Sequence, residues 1–145
     1  MTELPDLRDF VRPEPLPPSA TLIVRGGPDS VTKLEAHAER LLRAFVLDGA
    51  PVLGISVFAA TDDIGPASLD GIAAGKLSTY RVLHTAPVGR VTAAGFPLLS
   101  TFERPHMTLL LGSLDRIAVL MELLGPAERN PQYGELTRRR RRRPR

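Results

Sequence analysis

Residues 20–60 read ATLIVRGGPDSVTKLEAHAERLLRAFVLDGAPVLGISVFAA, and the fold turns on how this stretch divides. Ala20 to Arg25 is a short apolar run with β-branched residues, closed by Gly26-Gly27-Pro28, which reads as a strand followed by a turn. Asp29 or Ser30 can cap the next element. Val31, Leu34, Ala38, Leu41, Leu42 and Phe45 then recur at spacings of three, four and seven, the signature of one helical face. The helix is expected to stop at Asp48-Gly49, where glycine supplies the left-handed terminus, and Pro51 to Ala60 reads as a buried strand covered on both faces.

Outward from this unit the pattern continues irregularly. Residues 61–65 form a polar loop, and residues 66–77 make a weak helix interrupted by Gly71 and Gly75. Thr79 to Thr85 reads as a third strand, Val88 to Ala94 as a short helix stopped by Gly95, Phe96 to Thr101 as a fourth strand and His106 to Leu111 as a fifth. Ser113 opens a helix whose Leu114, Ile117, Leu120, Met121 and Leu124 face inward, with Gly125-Pro126 after it; little order is expected past Pro131. The expectation is a single α+β domain over residues 19–131, with a mixed sheet of about five strands and two main helices packed on it.

Composition fits one core. The apolar fraction is 43%, but aromatics are 5% and Trp is absent, so Leu, Val, Ile and Ala must fill the interior. The chain has no Cys, which excludes disulfides, thiolate metal sites and a cysteine nucleophile. Prolines and acids at the start, and no apolar run near the ~18 residues of a membrane span, point to a cytoplasmic protein without a membrane partner.

Residues 1–18 hold five of the fourteen prolines and read as a disordered leader, extended and suited to docking on a protein partner. Residues 132–145 read as a disordered tail, in which Arg138, Arg139, Arg140, Arg141, Arg142, Arg143 and Arg145 carry seven of the nineteen Lys and Arg. The remaining twelve bases face sixteen acids, so residues 1–137 carry a net charge of −4 and the tail alone is basic. Such a run binds nucleic acid or an acidic protein with strong salt dependence and little sequence preference.

Chemistry is sparser. Gly26-Gly27 lacks both nucleotide-loop spacings and is followed by Pro28 and Asp29, so it reads as a structural turn. His37 lies at the edge of the first helix's apolar face. His84 with Thr85, and His106 with Thr108, lie on strands; if those strands are neighbours, two imidazoles form an acid–base pair or hold a phosphate or ribose. The competing expectation is one buried, hydrogen-bonded histidine and one loop histidine. No metal site is expected.

Residues 106–111, HMTLLL, resemble the His-x-Thr strand element of the two-histidine phosphoesterases, although His84 and His37 lack the matching second Thr. Residues 80–111, YRVLHTAPVGRVTAAGFPLLSTFERPHMTLLL, are similar to the His-Thr strand, short helix, Gly-apolar turn and second His strand of RNA 2′-phosphotransferases and ADP-ribosyltransferase-like toxins. That resemblance implies an NAD cofactor, His84 and Thr85 at its ribose, Gly95 in the turn closing the helix and His106 on the cleft strand. Arg81 and Arg104 flank the stretch as phosphate-binding candidates. The function expected is an intracellular enzyme or toxin-like effector acting on a nucleotide or nucleic acid, the alternative being a non-enzymatic nucleic-acid- or protein-binding accessory module.

Overall fold

The structure, a computed structural model, describes residues 3–26 and 30–134. The arginine run from Arg138 onward lies outside these residues. Six strands form one sheet: β1 (Thr21–Gly26), β4 (Gly54–Ala60), β5 (Val82–Pro87), β6 (Leu98–Ser100), β7 (His106–Leu110) and β8 (Glu128–Arg129), in the order β6-β7-β4-β1-β5-β8. A two-stranded hairpin joins β2 (Val46–Leu47) to β3 (Ala50–Pro51). Four helices complete the domain: α1 (Ser30–Leu42), α2 (Leu69–Ala74), α3 (Val88–Ala93) and α4 (Arg116–Leu123). The fold is α+β, and every pairing is antiparallel, where a mixed sheet was expected. The connections explain this. Each neighbouring pair runs in opposite directions, so no right-handed parallel crossover is needed.

Alternation along the strands sorts the side chains. Leu22, Val24, Ile55, Val57, Ala59, Ala86, Met107 and Leu109 are buried in one core with Leu34 and Ala38 of α1, Val91 of α3 and Ile117 and Leu120 of α4. A smaller cluster on the opposite face joins Ile72, Ala73 and Leu77 to Leu83, Phe58 and Ala60. α2 reaches this face because Ser68 caps it, its hydroxyl accepting from the Gly71 N–H at 2.9 Å.

Three local expectations change. The first helix ends at Leu42, and Asp48-Gly49 is the turn of the β2–β3 hairpin, with φ of 50° and 86°. Positive φ at both central residues is what a two-residue hairpin turn requires, so Asp-Gly serves as a hairpin signal, not a helix stop. The chain after α4 does not run out of order at Pro131: Asn130 is 1% exposed, its side-chain N–H groups donate to Leu77 O and Tyr80 O at 2.9 and 3.1 Å, and Gly134 N donates to Ser78 O.

The leader is the largest correction. Residues 3–18 are not a free arm, because Leu7 is buried at 1% exposure and the backbone is tied at several points. Val46 N donates to Pro5 O, Phe102 N to Phe10 O and Arg12 N to Ser100 O. Val11 forms an antiparallel bridge with Thr101, extending the sheet beyond β6. The prolines permit this, since a proline lacks only a donor and tolerates an edge position.

Candidate functional site

The two histidines singled out by the sequence lie on different strands and different faces. His106 of β7 pairs with Phe58 of β4, Phe58 with Ile23 of β1, and Ile23 with Thr85 of β5. Paired residues share a face, so His106 and Thr85 project to the same side and His84, next in sequence, to the other. Three strand spacings separate β5 from β7, about 14 Å at ~4.8 Å each. The expected acid–base pair of imidazoles is therefore not assembled.

His84 is buried at 7% exposure, and its Nδ1 lies 2.9 Å from Gly125 O. A carbonyl only accepts, so Nδ1 carries the proton and donates. Gly125 N in turn donates to Thr85 O at 2.8 Å. The imidazole thus fastens the segment after α4 along β5.

His106 sits in a different setting. Its Nδ1 is 2.9 Å from Thr101 Oγ1, which is 2.8 Å from Thr108 Oγ1, giving a buried chain of polar groups. His106 and Thr108 do share a face. Thr101, one residue past β6, is the link that sequence spacing does not reveal. The imidazole is flanked edge-on by Phe58 and Phe102, at ring-centre distances of 5.6 and 5.2 Å. Phe102 continues into Phe10 of the leader and Phe45 before β2, each within 6 Å. Burial lowers the His106 pKa below its ordinary value, Arg12 and Lys76 push it the same way, and a hydrogen bond to Thr101 partly opposes them.

The remaining candidates occupy separate neighbourhoods. Arg81, ahead of β5, stacks on Tyr133 with its guanidinium 5.4 Å from the ring centre. Gly95 ends α3 at φ 91° and faces Arg116, which lies over the Phe96 ring at 4.2 Å. Arg104, between β6 and β7, binds Asp62 Oδ1 and Thr61 Oγ1. His37 accepts from Ser56 N through Nε2 at 3.2 Å. Among the described residues, those assigned to NAD by resemblance lie on opposite sheet faces and in separate neighbourhoods. Among the described residues, no group of three or more His, Asp or Glu is placed to hold a metal ion.

Among the described residues, one cleft opens beside Arg104. This cleft of about 280 Å³ is lined by Arg12, Glu14, Leu16, Ala59, Asp62, Ser100, Arg104, Pro105 and Met107. Sequence reasoning missed it because Arg12 belongs to the leader, and only the leader's docking brings it against β6 and β7. The fold and this cleft define an α+β domain with an antiparallel sheet, whose edge is closed by its own N-terminal strap. Comparison with known proteins adds no name to that class: no protein family, no curated protein and no solved structure matches the chain. Among the described residues no helix is long and apolar enough to cross a membrane.

Proposed function

We propose that the chain is a non-enzymatic binding module, in which the folded domain is a scaffold and the segment Arg138–Arg145 engages nucleic acid. The observation that supports it best is the register that sends His84 and His106 to opposite faces, each hydrogen-bonded within the domain. A transferase acting on NAD or a 2′-phosphate would need these groups around one substrate, and that reading keeps only the local resemblance of residues 80–111. The charge distribution supports the same choice, since an acidic body repels a polyanion and leaves the seven tail arginines as the attractive element.

The test is a salt titration of a fluorescent single-stranded oligonucleotide on the full chain and on a chain ending at Thr137. Seven phosphate contacts predict a slope of log K against log salt approaching about −5, at ~0.7 per contact. Truncation should abolish both the affinity and the slope. Equal binding by the truncated chain refutes the proposal, as does a preference for an acidic polypeptide over the oligonucleotide.

A further inference from the structure

We infer that the cleft around Arg12 is a binding site for a small apolar monocarboxylate, held by the Arg12 guanidinium under the proline strap. This goes beyond the polyanion reading and is independent of the tail.

Arg12 is the observation that carries the inference. Its Nη2 donates to His106 O at 3.1 Å, whereas Nε and Nη1, both shielded from solvent, have no hydrogen-bond partner among the described residues. These two nitrogens carry three N–H donors, and a guanidinium stays charged at any physiological pH. A shielded cation with unfilled donors has a strong demand for an acceptor that also brings negative charge. Other shielded side-chain polar atoms of the described residues have partners, so the deficit is confined to this cleft.

The lining selects the acid. Arg104 is already engaged by Asp62, whereas Arg12 forms no ion pair among the described residues; the exposed Glu14 also lines the cleft. Two cations, Arg12 and Arg104, and two carboxylates, Glu14 and Asp62, line the cleft and sum to zero, so the unpaired Arg12 suits a singly charged ligand and disfavours a dianionic phosphate. The lining also includes Leu16, Ala59, Pro105 and Met107, apolar surface for a hydrocarbon body. Carboxylates are also the planar anions that a guanidinium grips with two parallel bonds. The volume of about 280 Å³ is ample, since a cavity of about 150 Å³ already accepts a benzene-sized molecule.

Entry follows from how the strap is held. Arg12 N bonds to Ser100 O and Ala20 N to Pro17 O, but residues 13–16 make no backbone hydrogen bond among the described residues. Prolines at 13 and 15 have no N–H to give. Leu16 packs on the main core and also lines the cleft, so few backbone bonds need break for the strap beside Arg12 to move.

The experiment titrates benzoate, hexanoate and inorganic phosphate separately into the full chain at fixed pH and ionic strength, followed by methyl NMR. Benzoate and hexanoate are expected to saturate with Kd of about 1 mM or tighter, and phosphate to bind at least about tenfold more weakly. The benzoate ring should displace the methyl signals of Leu16, Ala59 and Met107 and leave those of Ile72 and Leu77, in the other cluster, unmoved. Arg12→Met keeps the apolar stem and the whole tail, so it should lose carboxylate binding by about tenfold or more while the tail contributes equally to both proteins. Phosphate binding as tight as benzoate, undiminished binding by Arg12→Met, or shifts spread outside the cleft would each overturn the assignment. The methyl map on the unmodified chain decides the matter even if Arg12→Met fails to fold.

Discussion

Replacing His84 with Leu separates a structural imidazole from a working one. Leucine has nearly the same bulk and keeps contact with the core, so cavity formation contributes little. What is lost is the donor to Gly125 O, at 2.9 Å in a site where the side chain is 7% exposed. An acceptor left without its partner in a half-buried site costs about 1–2 kcal/mol, the low end of the usual range. For a chain of this size, at about 2–4 °C per kcal/mol, that lowers the melting temperature by about 2–8 °C. The assay is a circular-dichroism melt of the variant beside Lys33→Gln, an exposed helix substitution expected to change little. Oligonucleotide affinity should be unchanged. A melting temperature within about 1 °C of the parent, together with lost binding or an activity abolished by the change, would show that His84 acts on a ligand and refute the reasoning.

Three further outcomes follow from the same contacts. His106 has a depressed pKa, so the unfolded chain takes up its proton first: stability is expected to hold above the ordinary histidine pKa and fall as pH drops below about 6.5, and His106→Gln should flatten that part of the urea-midpoint profile. Leu7→Ala should cost about 2–5 kcal/mol in denaturant unfolding, because Leu7 is 1% exposed, whereas a free leader would tolerate the change without effect. Asn130→Ala should cost about 2–3 kcal/mol and speed hydrogen exchange in α2 and at Tyr80, since one amide serves the carbonyls of Ala73, Leu77 and Tyr80.

What was legible in the sequence was periodic. The apolar repeat from Leu34 to Leu41 marks α1, the alternation in GISVFAA marks β4, and Gly95 marks the end of α3. Pairing was not legible, because strand order depends on contacts far apart in sequence and nothing in HTAP or HMTL says that β1 and β4 lie between them. That is why the sequence leaves a His84–His106 pair conditional on neighbouring strands, and the topology sets them apart. Asp48-Gly49 misled for a local reason, as the same dipeptide satisfies a helix terminus and a hairpin turn. Arg12 was out of reach altogether: its partner is a backbone carbonyl 94 residues away, and an arginine among prolines carries no sign of burial.

The strap also sets the order in which the molecule can be completed. Arg12 leaves the ribosome well before its partners: its backbone binds Ser100 and its side chain reaches His106, which are made about ninety residues later. At ~5–20 residues per second, that is an interval of several seconds in which the Arg12 segment has no place to dock, although Pro5 and Asp6 can already pair with Val46. The centre of the sheet can pair β1 with β4 and then β5 during this time, while β6 and β7 are still to come. Closure of the sheet edge is thus a late event in synthesis, and a nascent chain halted before residue 100 would lack the Thr101 and Phe102 partners of Val11 and Phe10, leaving that apolar edge open to chaperones.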